Sequence, residues 1–389
     1  MLINRHSTPL HVWEALKACG RVGLRELHPR PAPIDVMFLF CDHFEGRALT
    51  LTESEVGRWV TDYPRVALRH ADADGRPPQH TWFYLYSDET DNVPLLRALR
   101  AASDRGCGEI ELHLHHGRGY SGGRAQHNVF ADVESGPRLR EMLGAALRDF
   151  EHAGVRAPRP GGGGGPYAVI HGAWALDNSR TMPDSHGWCG VNDEIEILHA
   201  TGCYADFTFP AWGSMQPAKI NSIYYASDDP RRPKSHNTGR DLRVGRPAED
   251  ALVIFQGPAL GGSDVSGANP PSLDRAARWV RSAVHVPGRP EWIFVKVHTH
   301  GCEDQRTLDL LLGDEMHRFF AELERVYNDG RAHRLHYVSA REAYNIARAA
   351  EAGMRGDPNR FRDFVIPPYR PAPQAAAEAV DGRARHVPA

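Results

Sequence analysis

The sequence has no C-x-x-C pair, few lysines, almost no net charge and no long apolar run, and each shortage removes a class of function. Its six cysteines, Cys19, Cys41, Cys107, Cys189, Cys203 and Cys302, are scattered. That spacing excludes a C-x-x-C zinc module and a secreted disulfide framework, so reduced, buried thiols are expected. Lysine occurs only at Lys17, Lys219, Lys234 and Lys296 among 46 basic residues, which singles out Lys296 inside an apolar run. The formal net charge is −3 and the arginines are spread along the chain. No basic field is available for a nucleic acid, and none is expected as a partner. No segment approaches the roughly 18 consecutive apolar residues of a membrane span, and Met1 to Gly20 has no apolar stretch of signal-peptide length. A cytoplasmic protein without a membrane span is the expectation.

The 389 residues are 41% hydrophobic and 24% charged, enough for a sizeable core with an ordinary charged surface. One large α/β domain with elaborated loops suits this length, since α/β barrels run to about 250 residues before insertions. Short β-branched or aromatic runs alternate with amphipathic segments, the pattern of a parallel sheet with covering helices. Strands are predicted at Ile34–Cys41, His80–Tyr86, Glu109–His115, Tyr167–His171, Asp206–Phe209, Leu252–Gln256, Trp292–His298 and Arg334–Val338. Helices are predicted at Glu53–His70, Val93–Arg105, Pro137–Ala153, Leu273–Val284, Arg306–Tyr327 and Ala340–Ala350. Asn192, Asp193 and Glu194 read as a helix start at least as readily as a binding site. Residues 1–33 form an N-terminal extension and 34–350 the main domain. Within it, 210–250 is polar and proline-interrupted, a long insertion or lid. The glycine run 161–165 reads as a connector, and 351–389 as a C-terminal extension, disordered from about 371.

Three strand ends carry the chemistry. The first continues into Asp42-His43-Phe44-Glu45, three ionisable groups where barrel enzymes keep catalytic residues. The third reads His113-Leu114-His115-His116, with His113 and His115 on one face and His116 at the loop. Three neighbouring imidazoles can present neutral nitrogens to a divalent cation, and nitrogen-rich ligation favours zinc. The seventh reads Lys296-Val297-His298-Thr299-His300, with Lys296, His298 and His300 sharing a face. Parallel strands buried on both faces are apolar, so three ionisable groups aimed one way imply a polar site. Trp174, Trp212, Tyr224 and Tyr225 could stack on a sugar or simply pack. Asp206 is a weaker candidate.

The order of these clusters resembles the NodB-homology polysaccharide deacetylase family (carbohydrate esterase family 4), whose fold is a distorted seven-stranded (β/α) barrel. Phe40-Cys41-Asp42-His43 is similar to that family's T-F-D-D, Gly108-Glu109-Ile110-Glu111-Leu112-His113 to its G-H-E-I-G-x-H, and Val295-Lys296-Val297-His298 to its L-x-x-H. His80-Thr81-Trp82-Phe83 resembles its T-F-F strand. The chain departs from the family at His43, which replaces a second aspartate, and at Gly117, which replaces a second histidine. The resemblance implies a rearranged metal set: His113 with His115 or His116, plus Asp42, His43 or Glu45. It implies removal of an N-acetyl group from an amino sugar or glycoconjugate, with Asp42 as base, His298 as acid and Glu45 as a further catalytic residue. His171, Trp174, Asp177, Asn178, Lys296 and His300 would line the substrate pocket. Two other readings stay open: a metal amidohydrolase acting on a non-sugar amide, and a carbohydrate-binding protein without catalysis.

Overall fold

All eleven residues of the strand Ile34–Phe44 (β1) are buried, as a central parallel strand covered on both faces must be. The computed structural model describes residues 9–27, 32–115, 120–121, 124–125, 135–156, 165–179, 191–209 and 217–369. After β1 come β2 (His80–Tyr86), β3 (Gly108–Leu114), the short pair β4 (Tyr120–Ser121) and β5 (Arg124–Ala125), β6 (Tyr167–His171) and β7 (Cys203–Asp206). Then follow β8 (Ser222–Ala226), β9 (Gly239–Asp241), β10 (Val253–Gln256), β11 (Trp292–Thr299) and β12 (His333–Tyr337). The helices are α1 (Pro9–Leu27), α2 (Glu53–Ala67), α3 (Asn92–Asp104), α4 (Ser135–His152), α5 (Glu194–Ala200), α6 (Leu273–Ser282), α7 (Gln305–Leu311), α8 (Asp314–Tyr327) and α9 (Ala340–Glu351).

A ten-stranded sheet runs β11-β1-β2-β3-β6-β7-β10-β8-β9, and β12 also pairs with β1. β11 follows β1 from Asp35 to Asp42, while β12 takes Ile34 to Phe38 and β2 takes Phe40 to Phe44 on the other edge. These pairings are parallel, and only β8 and β9 join the sheet antiparallel. Beyond β10, Asp264 bridges His298, with the His298 N–H donating to the Ser263 carbonyl and the Val265 N–H to that of His298. The architecture is mixed α/β, a large and mostly parallel sheet with helices. No helix among the described residues is long and apolar enough to cross a membrane.

Two apolar layers flank the sheet. Val36, Phe38, Phe40 and Phe44 pack with Trp59, Trp279 and Phe319 of α2, α6 and α8. Met37, Leu39 and Cys41 pack instead with Phe83, Ile170, Phe207, Phe255 and Phe294 and with Ala343 and Ile346 of α9. Burying a side chain of this size contributes about 1.5–3 kcal/mol. Capping boxes at Thr52/Glu55 and Ser339/Glu342 start α2 and α9, satisfying amides that have no partner within the helix.

Several sequence expectations need correction. The stretch expected as one helix over Arg306–Tyr327 is two, because Gly313 adopts an extended N-cap conformation between α7 and α8. β7 ends at Asp206, not Phe209: the Asp206 carboxylate accepts hydrogen bonds from the Thr208 amide and hydroxyl and turns the chain. Of the 210–250 segment, the described residues 217–250 supply β8 and β9 to the sheet. Residues 351–369 of the C-terminal extension pack on the main domain: Asn345 holds the Arg362 and Ile366 carbonyls and the Tyr369 hydroxyl reaches buried Glu111. The N-terminal extension contains α1, and the expected helix start at Asn192–Glu194 is α5, with Asp193 at its N-cap. Gly161–Gly164 and the tail beyond 371 lie outside the described residues.

Candidate metal centre

Strand parity and register assemble the site. On β1, Asp42 shares the parity of Phe40 and Phe44 and faces the helices, whereas His43 shares that of Cys41 and faces the opposite layer. Glu45 follows His43 on that side. Parallel pairing sets Phe44 against Tyr84 and Leu85 against His113, which brings Glu45 level with His113 two strands away. Cys41 pairs with His298 and Asp42 with Thr299, so His43 comes level with His300.

Glu45, His43, His113, His115 and His300 meet there. The His113 and His115 Nε2 atoms lie 3.0 and 2.9 Å from Glu45 Oε2, and the His300 Nε2 lies 3.7 Å from Oε1. The His43 ring stacks on His300 at 4.6 Å and meets His113 edge-on at 5.0 Å. His298 stands 6.1 Å from His43, with its Nε2 3.6 Å from Asp264 Oδ1. The donor atoms of His43, Glu45 and His300, and those of Glu45, His113 and His115, form two groups, each close enough to hold a metal ion.

Electrostatics argue for a cation. His113 Nδ1 is 2.9 Å from the Ile170 carbonyl, which only an N–H can satisfy, so in the neutral ring the Nε2 lone pair faces the Glu45 carboxylate. Two lone pairs at 3.0 Å repel unless a proton or a metal lies between them. Such a carbonyl contact is the usual outer partner of a metal-bound histidine. Burial, followed by the neighbouring His300, holds His43 and His298 well below the usual histidine range, so both are neutral at pH 7. Burial also lowers His115 despite Glu45. For Glu45, burial alone would raise the carboxyl, but His115 and His113 together hold it well below the usual carboxylate range. His43 Nε2 and His298 Nδ1 are buried without a hydrogen-bond partner.

Not every expected residue arrives. Asp42 is turned away by strand parity, its carboxylate 2.9 Å from His80 Nε2 and accepting the Gly301 N–H at 2.7 Å. Its carboxylate is therefore not among the donors of the cluster, and its link to that side is the amide of Gly301, next to His300. Lys296 does not line a pocket: its ammonium donates to the carbonyls of Phe207 (3.0 Å), Phe209 (2.7 Å) and Phe255 (2.8 Å), which uses all three donors. Burial pushes it down to about 8, and it ties β11 to the ends of β7 and β10. Asp206 nearby is pushed up to about 7 by the same burial. Tyr224 and Tyr225 are core, their hydroxyls donating to the His236 carbonyl and Glu351. His116 and Trp212 lie outside the described residues.

The residues after β6 form a wall beside the cluster. His171 Nδ1 is 2.7 Å from the Gly172 carbonyl and its Nε2 3.4 Å from Glu194. The Asp177 carboxylate contacts Ser235 and His236, Asn178 donates to Asn192, and Trp174 is half-buried. Ala173, Trp174, Asp177 and Asn178 all have φ between 51° and 54°. Each such non-glycine residue costs about 1 kcal/mol or more, and clusters of that strain occur at functional sites.

Gly172 and Asp264 carry no sequence signal of a part in this site. Gly172 matters most: a Cβ there would lie 2.3 Å from the His115 ring. Gly172→Ala is expected to push His115 off Glu45 and weaken metal binding by about 10–100-fold, the range for disturbed support of a ligand. Metal titration of the stripped variant checks this, and an unchanged affinity would show that His115 is not a ligand. Comparison with protein-family models, characterised proteins and solved structures finds no match to this chain.

Proposed function

We propose that the chain is a metal-dependent amide hydrolase that removes the N-acetyl group of an amino sugar or glycoconjugate, on a distorted (β/α) barrel. The observation that carries this reading is the Glu45 carboxylate facing two imidazole nitrogens, one of which has its other nitrogen committed to a carbonyl. The order of the motifs along the strands favours the sugar amide.

Glu45, His113 and His115 would hold a divalent cation, and the nitrogen-rich set favours zinc. When bound, such a cation polarises a carbonyl and lowers the pKa of water at the site from about 15.7 towards 7. His298, neutral and at the edge of the cluster, takes the proton released as water adds to the acetyl carbon. The C–N bond then breaks, and His298 returns that proton to the departing amine nitrogen. Asp264, 3.6 Å from its Nε2, offsets the transient imidazolium charge. Trp174 and Asn178, on the strained wall next to His115, would orient the sugar.

Acetate release from N-acetylglucosamine oligomers by zinc-loaded protein tests this. Release is expected to stop on chelation and to fall about 100-fold or more in His298→Gln, the low end for loss of a general acid–base group. Metal-loaded protein that releases no acetate from free, oligomeric or lipid-linked N-acetylhexosamine would overturn the sugar assignment.

A further inference from the structure

We infer that the centre holds two divalent cations bridged by Glu45, one between Oε2 and the imidazoles of His113 and His115, the other between Oε1 and those of His43 and His300. This rests on the reading of the cluster as a metal centre and goes beyond it, because one ion suffices for that chemistry.

The donors fall into two groups, each with its atoms within 4.8 Å of one another, and Glu45 is the member they share. A single ion with bonds of about 2.0–2.2 Å keeps its donors within about 4.4 Å of one another, so it serves one group and leaves the other. The two carboxylate oxygens divide accordingly, Oε2 at 3.0 and 2.9 Å from His113 and His115 and Oε1 at 3.7 Å from His300. The last distance is too long for a hydrogen bond. It suits two ligands of one ion, since bonds of about 2.1 Å at a tetrahedral angle place donors roughly 3.4 Å apart.

The second group has its own unexplained feature. His43 Nε2 is buried and has no hydrogen-bond partner. Burial penalises an unpaired polar nitrogen there, and metal ligation removes that penalty. Asp42 supports this half of the centre, since its carboxylate accepts the amide of Gly301 directly after His300. Each ion would thus have two imidazoles and one carboxylate oxygen, with coordination positions left for water and substrate. Paired ions sharing a carboxylate act on both sides of a reacting carbonyl or phosphoryl group, which one ion cannot do.

The experiment uses the full chain without a histidine tag, stripped with chelator and titrated with zinc, followed by calorimetry and elemental analysis. Two equivalents are expected at saturation, falling to one in His115→Ala and to one in His300→Ala. Cobalt substitution gives a readout independent of stoichiometry: the fully loaded protein is expected to show magnetic coupling between two Co²⁺ ions, lost in either variant. One equivalent at saturation, or two uncoupled ions, would overturn the bridged pair, the first leaving the hydrolase reading intact. No binding at all would overturn both.

Discussion

Glu45→Gln is expected to strip the protein of metal and to lower acetate release by on the order of 1,000-fold or more, while the fold survives. Disturbing an outer partner of a metal ligand already costs about 10–100-fold in affinity or activity, and Glu45 stands at the centre of the cluster. The amide keeps the shape but not the charge. Its NH₂ group can donate to the His113 or His115 nitrogen that now faces a carboxylate, so the neutral cluster satisfies itself without a cation. The variant should therefore melt at or above the temperature of the stripped wild type while binding no zinc. That pair of results separates lost ligation from misfolding. Asp42→Asn is the comparator: its oxygens bond His80 and the Gly301 amide, so metal should be retained. Full metal content and turnover in Glu45→Gln would show that Glu45 is not a ligand and that the ion is held without it.

Much of this site is legible in the chain, and the placement of Asp42 and Glu45 shows where legibility stops. Alternation alone puts His113 on one face of β3, and Lys296 and His298 on one face of β11, as the structure has them. Both runs are apolar enough to be recognised as strands along their whole length. β1 is different. Its apolar residues stop at Cys41, so the sequence places Asp42-His43-Phe44-Glu45 in a loop, where side chains have no assigned face. The backbone in fact stays paired with β2 through Phe44. Parity then sends Asp42 to the helices and His43 towards Glu45.

Lys296 illustrates a second limit. Its oddity is visible in an apolar run, but its partners are backbone carbonyls on two other strands' ends, and carbonyls have no signature in a sequence. β8 and β9 escape for a third reason: their short β-like runs sit among prolines and charges, and only the pairing of β8 with β10 and of β9 with β8 defines them. Gly172 is read only by distance to a ring contributed from β3's end, information that exists after folding.

The metal-free protein is expected to lose stability as the pH falls from 7 to 5. Burial, above any other cause, depresses four histidines of the interior, His43 and His298 well below the ordinary value and His115 and His236 also below it, and half-buried His317 is lowered too. Unfolded, each takes a proton near pH 6.5. The sign follows from linkage: below 6.5 the unfolded state binds more protons, so the free energy of unfolding falls with pH, by about 1.4 kcal/mol per pH unit for each unmatched proton. Their contribution is complete above pH 6.5 and is lost as pH drops through the depressed folded values. His336 works the other way. Burial lowers it, but Asp35 and Asp74 outweigh that and raise it, so its contribution is present below 6.5 and fades as pH rises through the raised value. Asp206, pushed up to about 7, and Asp228, pushed up to about 6, both chiefly by burial, oppose the four as well, since between pH 7 and 5 each holds a proton in the folded chain that the unfolded carboxylate does not take. The net is about one to two protons, or roughly 2 kcal/mol per pH unit, against the 5–15 kcal/mol that a domain has in total. Urea midpoints of the stripped protein at pH 7, 6 and 5 measure this directly. His298→Gln should flatten the slope by about one proton's worth, and a midpoint that holds level across that range would mean that these imidazoles already carry charge in the folded state.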